Sequence, residues 1–347
     1  MLKRHLIRIA GLLAWATTVA AQTAGCGGIA PDAGHHSLDA DGQVRTYRLH
    51  LPRNYDPATP ASLILAFHGW GGDADSILDQ RVVPVWFARR RTIIVAPQGL
   101  GTTEDRPASW TFPGSATGLD GDGVNQSVPG DTATICDPAD LTDEVYPSCD
   151  GTAQNTCAWT QCQADDMAFV EDLLTSLEET LCLDLNRIYA AGASNGGMFV
   201  WGIGQNPALA PRFRAIASLI GLPHRGYLDG PGADADLPVL TITGTADATV
   251  PPGAWEDPSF TTSFDETEYY YTGATGITQA WAEGRGCNTQ IPAQPVDVGA
   301  RRFDCRSYCS ADGDSTLPPV LDCRMDTGHN GHLRRTWPLI MTFFADQ

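Results

Sequence analysis

A serine stands between two glycines at residues 192–196, in the order Gly-Ala-Ser-Asn-Gly. The apolar run 187–191 leads into it, and a segment that we expect to be helical follows. A serine on a tight strand-to-helix turn needs such glycines, because side chains there would collide with neighbouring backbone. A helix that begins at the serine directs its free amides and positive dipole end at the reacting oxygen. The pattern therefore predicts Ser194 as a nucleophile, against the alternative of an ordinary serine in a glycine-rich turn.

A serine hydroxyl is a weak nucleophile, so it needs a histidine to take its proton and a carboxylate to orient that histidine. Asp247 follows the predicted strand 238–243 and can supply the carboxylate, although standing alone it would be taken for a turn residue. His329 and His332 are the two histidines after Asp247. We favour His329 because it lies nearer the end of the last predicted strand, 319–325, and His332 remains the alternative base.

The predicted strand 62–67 ends in the sequence His-Gly-Trp-Gly-Gly at residues 68–72. A glycine-rich turn at this place leaves backbone amides free to bind a developing oxyanion. We expect the backbone amides of Trp70 and Asn195 to form this oxyanion hole, with Gly71 as second choice to Trp70, and the Trp70 side chain to contact the substrate. His68 is expected to be structural. The alternative for the segment is a plain turn that carries a binding aromatic residue.

Short apolar runs alternate with amphipathic segments along the chain, which predicts an α/β fold with a mostly parallel central sheet flanked by helices. The order Ser…Asp…His, each after a strand, is that of α/β hydrolases. The predicted strands are 44–51, 62–67, 92–96, 187–191, 215–220, 238–243 and 319–325, and the predicted helices are 73–89, 165–181, 275–283 and 337–345.

Residues 101–163 interrupt this pattern with a stretch that is rich in Gly, Asp, Thr and Pro. Four cysteines in it favour a disulfide-stapled insertion over the active-site side, within a catalytic domain that spans residues 26–347. Trp110 and Phe112 could offer an aromatic surface to the substrate or could pack locally. The acidic, glycine-containing residues 120–123 lack the other ligands of a calcium loop, so we predict no metal site.

The N-terminal residues 1–21 predict a secretory signal peptide, because three basic residues precede a short apolar segment with small residues at its end. An even number of cysteines, 10, favours disulfides in an exported protein. Residues 23–26 resemble a lipobox without its usual leucine, so lipid anchoring through Cys26 is the alternative. The net charge of −19 argues against a nucleic-acid partner, and no other stretch approaches the length of a transmembrane helix.

These motifs together resemble the secreted polyhydroxybutyrate depolymerase and feruloyl esterase group of α/β hydrolases. The resemblance extends from about Cys26 to the C-terminus. It is carried by Cys26-Gly27, Arg45, Tyr47, Leu49, Leu51-Pro52, Tyr55-Asp56, His68-Gly69-Trp70-Gly71-Gly72, Asp165-Asp166-Met167-Ala168-Phe169, Ser194-Asn195-Gly196-Gly197, Asp247, Val250-Pro251 and Gly328-His329-Asn330. The long insertion and the second histidine, His332, depart from the simplest members.

The resemblance implies a secreted serine carboxylesterase without a cofactor, acting most readily on feruloyl-type esters of plant polysaccharide. A depolymerase of hydroxyalkanoate polyesters is the alternative within the same chemistry. A non-catalytic carbohydrate-binding protein on a hydrolase scaffold is the alternative of another class. We disfavour it because the serine, the acid and the histidine are all present in the expected order.

Overall fold

The computed structural model describes residues 22–40, 42–78, 91–101, 107–113, 115, 160, 164–226, 230, 236–263 and 269–347. The predicted signal peptide 1–21, most of the predicted helix 73–89, the acidic residues 120–123 and most of the predicted insertion lie outside these residues. So do four of the cysteines, Cys136, Cys149, Cys157 and Cys162. The division of the chain into signal peptide, catalytic domain and insertion stays a prediction.

The described strands are β1 Gly34–Ala40, β2 Gln43–His50, β3 Ala61–Phe67, β4 Thr92–Pro97, β5 Leu183–Ala193, β6 Ala215–Leu219, β7 Val239–Gly244, β8 Phe260–Thr262, β9 Tyr270–Thr272, β10 Gln294–Pro295, β11 Asp304–Ser307 and β12 Val320–Met325. The described α-helices are α1 Asp166–Thr180, α2 Asn195–Gln205, α3 Ala274–Gly284 and α4 Leu333–Asp346, and a 3₁₀ turn spans Ala210–Arg212.

Ten of the described strands form one sheet in the order β1-β2-β4-β3-β5-β6-β7-β12-β11-β10. Its central six strands, from β4 to β12, run parallel to one another. Antiparallel pairs extend both edges, β1 with β2 on one side and β10 with β11 on the other. The α/β-hydrolase fold with a mostly parallel sheet, as the sequence predicts, is confirmed.

The central strands are mostly apolar because both of their faces are covered. In β3, Leu63, Leu65 and Phe67 belong to the core on one face, where residues of α1, α2 and α3 pack. Ile64 and Ala66 point the other way, into a second core that α4 completes. The alternation of side chains across a strand thus divides one apolar run between two layers.

The strands that the sequence analysis did not predict lie outside the parallel centre of the sheet. β1 alternates exposed and partly buried residues and carries two histidines, so it has little apolar signal. β8 and β9 form a short separate hairpin, and β10 has two residues. The last helix also begins earlier than predicted, at Leu333.

The cysteines of the described segments are all paired. Cys26 bonds to Cys182, between α1 and β5, and the C-terminal edge of the sheet carries the bonds Cys287–Cys309 and Cys305–Cys323. Because the sulfur of Cys26 is oxidised, it cannot carry a lipid, which corrects the alternative of a lipid anchor at this residue. Among the described residues, no helix combines the length and the apolar character needed to cross a bilayer.

Candidate active site

Ser194 lies on a sharp turn between β5 and α2. Its backbone has φ 54° and ψ −122°, a conformation that non-glycine residues rarely adopt. The turn is held at both ends, because the Ser194 amide donates to Leu219 O at 2.8 Å and its carbonyl accepts from Met198 N at 2.9 Å. Strain of this kind, about 1–3 kcal/mol, persists only where the surrounding structure imposes it.

The two glycines of the pattern are there for steric reasons, as the sequence predicts. A methyl group on Gly192 would lie 2.2 Å from Gly196 O. A methyl group on Gly196 would lie 2.4 Å from Phe67 O and 2.5 Å from His68 O. These distances are far below van der Waals contact, so the close packing of α2 on β5 requires glycine at 192 and its packing on the end of β3 requires glycine at 196.

Ser194, His329 and Asp247 form a continuous hydrogen-bonded series. Ser194 Oγ lies 2.8 Å from His329 Nε2, and His329 Nδ1 lies 2.8 Å from Asp247 Oδ2. The Asp247 side chain is fully buried, and that of His329 is 26% exposed. An ionised carboxylate only accepts hydrogen bonds, so Nδ1 carries the proton and Nε2 is left to accept from the serine hydroxyl.

The topology explains why these three residues meet. β5, β6, β7 and β12 are neighbours and run parallel, so their carboxyl ends lie at the same edge of the sheet. Asp247 follows β7 and His329 follows β12, and their loops are joined by the bonds Thr245 N to Met325 O, 2.8 Å, and Ala246 N to Thr327 O, 2.9 Å. Asp247 Oδ1 also accepts from Thr249 N and Val250 N, at 3.0 and 2.8 Å, which orients its other oxygen toward the histidine.

His332, the alternative base, is not within this series. Its Nε2 lies 2.8 Å from Thr327 Oγ1, and its amide donates to Asn330 Oδ1 at 2.9 Å. Its backbone is left-handed, with φ 40°, at the start of α4. His332 therefore closes the loop that carries His329 rather than contacting Ser194.

The loop after β3 lies directly against the serine. A methyl group on Gly69 would be 3.3 Å from Ser194 Cβ. Trp70 follows, with 47% of its surface exposed. Asn195 is fully buried. Because it is the first residue of α2, its amide lies at the positive end of the helix dipole. Both residues expected to supply oxyanion donors thus belong to backbone beside Ser194.

Trp110 is fully buried, which corrects the expectation that it offers an aromatic surface to a substrate. Its ring centroid lies 5.1 Å from that of Phe67 and 5.3 Å from that of Phe199. Phe112 is also buried, with its ring stacked on His224. Both side chains therefore pack locally, which was the alternative to a surface for the substrate.

The two other histidines near this edge are buried and neutral. His68 Nε2 accepts from Gly99 N at 3.0 Å and its Nδ1 lies 2.7 Å from Gly69 O. Burial lowers the pKa of His68, which fits its expected structural role. His224 lies in the loop after β6 and is fully buried. Desolvation lowers its pKa to about 4.

The sequence analysis assigned no role to the buried ion pair of Arg45 and Asp166. Asp166 is 1% exposed, and its Oδ1 accepts from Arg45 Nη2 at 2.6 Å. Its Oδ2 accepts from Thr111 N at 2.7 Å. Desolvation raises the pKa of Asp166, while Arg45 opposes that shift. Both residues belong to motifs that carry the family resemblance, and that was the signal that could have singled them out.

No protein-family model matches the chain. The chain is 22% identical over 297 residues to feruloyl esterase C of Emericella nidulans, covering 83% of this chain and 77% of that protein. It is 21% identical, with the same coverage, to a probable feruloyl esterase C of Aspergillus niger. Among solved structures, the acetyl xylan esterase of Aspergillus awamori superposes with a TM-score of 0.51 at 12% identity, over 90% of this chain and all of that one.

The sequence comparison extends over most of the chain, and the structural comparison shows that the chain shares its fold with the acetyl xylan esterase. The resemblance to the feruloyl esterases that the sequence motifs indicate is thereby confirmed. Similarity in sequence to proteins named feruloyl esterase C identifies the chain as a carboxylic ester hydrolase, and similarity to a solved structure shows its fold.

Proposed function

We propose that this protein is a secreted serine carboxylesterase that cleaves feruloyl-type esters on plant polysaccharide through an acyl-enzyme. The observation that carries the proposal is the hydrogen-bonded series from Ser194 through His329 to Asp247, with both bonds at 2.8 Å. A hydroxyl, an imidazole with its free nitrogen toward that hydroxyl and a buried carboxylate are the parts that acyl transfer requires.

In the proposed reaction, Ser194 Oγ attacks the ester carbonyl while its proton passes to His329 Nε2. The imidazolium that forms is stabilised by its hydrogen bond to the Asp247 carboxylate. Collapse of the tetrahedral intermediate breaks the bond to the alcohol, which takes the proton from His329. A water molecule then attacks the acyl-serine by the same route, releasing the acid and restoring the Ser194 hydroxyl.

The backbone amides of Asn195 and Trp70 are our candidates for binding the negative oxygen of the intermediate. The Asn195 amide is free of the helix's own hydrogen bonds because it lies in the first turn of α2. Gly69, before Trp70, lies close enough to Ser194 that a methyl group there would contact Ser194 Cβ. Losing one donor of this kind lowers kcat by about 10²–10³-fold.

The substrate class in this proposal rests on the similarity to proteins named feruloyl esterase C. Trp70 is 47% exposed in the loop whose Gly69 approaches Ser194, and its indole suits an aromatic acyl group or a sugar ring, since both stack on aromatic faces. Secretion rests on the leader-like residues 1–21 and on the disulfide of Cys26 with Cys182, which needs an oxidising compartment.

The first experiment tests the nucleophile and the base together. A fluorophosphonate probe should label the folded protein, and Ser194→Ala should remain unlabelled. His329→Ala should lower kcat by about 10⁴-fold or more, because the proton has no acceptor. His332→Ala should lower kcat by no more than about tenfold. Normal turnover by His329→Ala together with an inactive His332→Ala would contradict the assignment of the base.

The second experiment tests the substrate. Methyl ferulate, acetylated xylan, hydroxybutyrate oligomers and short nitrophenyl esters should be compared on one preparation. We expect the highest kcat/KM for methyl ferulate among the natural acyl groups. A higher kcat/KM for hydroxybutyrate oligomers would leave the serine esterase mechanism in place but would show that the substrate is a polyester.

A further inference from the structure

Residues 107–113, near the beginning of the predicted insertion, are bonded to Asn195, the residue after Ser194, and to the loop after β3. Trp110 is the centre of this segment, which we call the clamp segment. Its amide donates to Asn195 Oδ1 at 2.7 Å, and its carbonyl accepts from Asn195 Nδ2 at 3.0 Å. The Asn195 side chain is therefore paired on both sides with one residue. Since Asn195 and Trp110 are both fully buried, water does not replace these bonds.

The clamp segment also holds the loop after β3, on both sides of Trp70. Trp110 Nε1 donates to His68 O at 3.0 Å. Ala108 O accepts from Gly71 N at 2.8 Å. The carbonyl of His68 and the amide of Gly71 bracket the Trp70 peptide, so two bonds from one segment determine where the Trp70 amide lies.

The clamp segment is itself fixed to the scaffold. Thr111 N donates to Asp166 Oδ2 at 2.7 Å, and Asp166 is paired with Arg45. Arg45 is 3% exposed and lies 4.0 Å above the Phe169 ring. Trp110 packs edge-on against Phe67 at the end of β3. A segment held this way moves little relative to the sheet, because each shift would leave buried polar groups unpaired.

We propose that Trp110, with the side chain of Asn195, is a positioning unit that sets the distance between the two oxyanion donors. This inference rests on the proposed function, because those donors are the Asn195 and Trp70 amides. Trp110 contacts no substrate; it acts through the His68 carbonyl and through Asn195. The burial that excludes Trp110 from the substrate surface is what allows it this role.

The physical consequence is a loss of turnover without a loss of substrate binding. Oxyanion donors act on charge that develops in the transition state, at 2.7–3.1 Å from the oxygen, and do little for the neutral ground state. A misplacement of about 1 Å can lower the rate about 10²-fold. Loosening the clamp segment should therefore reduce kcat and leave KM unchanged.

The test variant is Trp110→Phe, which keeps an aromatic ring in the core and removes the donor to His68 O. We expect kcat to fall about tenfold with KM changed less than twofold. An arylboronic acid, which forms a tetrahedral adduct with the serine, should bind about tenfold more weakly. The pKa values in the pH–rate profile should be unchanged, because the base is untouched.

The chain supplies a matched control in Trp281. Trp281 is also fully buried, and its Nε1 donates to Leu237 O at 2.8 Å, before the start of β7 and away from Ser194. Trp281→Phe should lower thermal stability much as Trp110→Phe does and leave kcat and boronic-acid binding unchanged. Equal kcat in the two variants would overturn the inference.

A second variant keeps the inference testable if Trp110→Phe does not fold. Asn195→Asp keeps the acceptor for the Trp110 amide but places a carboxylate oxygen against the Trp110 carbonyl. We expect kcat to fall about 10²-fold with KM again unchanged. A kcat within twofold of the parent, in a folded Asn195→Asp protein, would likewise overturn the positioning role.

The failure of this inference is distinguishable from failure of the proposed function. If Ser194→Ala hydrolyses esters at the parental rate, the serine mechanism itself is wrong. If Ser194→Ala is inactive while Trp110→Phe and Asn195→Asp keep the parental kcat, the mechanism stands and the positioning unit is wrong.

Discussion

Replacing Gly196 by alanine tests how closely α2 must approach β3 for the site to work. The new methyl group would lie 2.4 Å from Phe67 O and 2.5 Å from His68 O, whereas ordinary contact begins at 3.4 Å. The shortfall is about 1.0 Å, and both obstacles are backbone atoms that cannot rotate away. The start of α2, with Ser194 and the Asn195 amide, must therefore move about 1 Å from the loop that carries Trp70.

A displacement of that size should lower kcat/KM about 10²-fold, or about 2.7 kcal/mol of transition-state stabilisation. Overpacking should also lower the free energy of unfolding by about 1–3 kcal/mol. Nitrophenyl acetate hydrolysis measures the first quantity, and urea unfolding followed by circular dichroism measures the second.

The control for Gly196→Ala is Gly230→Ala, whose methyl group would meet the Ala280 side chain at an ordinary 3.5 Å. This control should keep both kcat/KM and stability. If Gly196→Ala is folded and keeps kcat/KM within threefold of the parent, the close contact does not position the catalytic groups and the reasoning is refuted.

Three further predictions follow from the geometry. Asp247→Asn should lower kcat about 10⁴-fold on nitrophenyl acetate, because an amide no longer holds the His329 tautomer; a loss below tenfold would contradict this. Replacing both Cys26 and Cys182 by alanine should lower the free energy of unfolding in urea by about 2–5 kcal/mol, since their bond closes a separation of 156 residues, and an unchanged midpoint would count against it. The buried His224 has a pKa of about 4, below its unfolded value of about 6.5, so the unfolded chain binds the extra proton and stability falls as the pH drops through this range. The free energy of unfolding should therefore fall between pH 7 and pH 4.5 by about 2–3 kcal/mol less in His224→Phe than in the parent. If urea titrations give the same fall for both proteins, His224 does not contribute to the pH dependence.

The parallel centre of the fold was predictable because its strands are short runs dominated by apolar residues. β3, β4, β6, β7 and β12 were each predicted within one or two residues of the observed bounds. The edge strands were not, because β1 alternates polar and partly buried residues and β10 has two residues. Their pairing depends on a neighbouring strand rather than on their own composition.

The sequence did not predict which loop residues are buried. The loop that carries His224 has no apolar period, yet Tyr271 of β9 stacks on the His224 ring at 5.0 Å between centroids. Trp110 similarly lies in a stretch without periodicity. The Asn195 side chain and the aromatic rings of Phe67 and Phe199 bury it, and none of these contacts is local in sequence.

The sequence by itself determined which residue types stand at the ends of the strands. Three features are local: the glycines around Ser194, the position of Asp247 after a strand, and the two histidines near the C-terminus. They can be predicted because a tight turn and the end of a strand each depend on adjacent residues. Tertiary structure alone determined the distances. It brought His329 Nε2 to 2.8 Å from Ser194 Oγ and turned His332 toward Thr327 through a left-handed residue. Hydrogen bonds act over about 3 Å, so a choice between histidines three residues apart in the chain depends on long-range packing that no local pattern records.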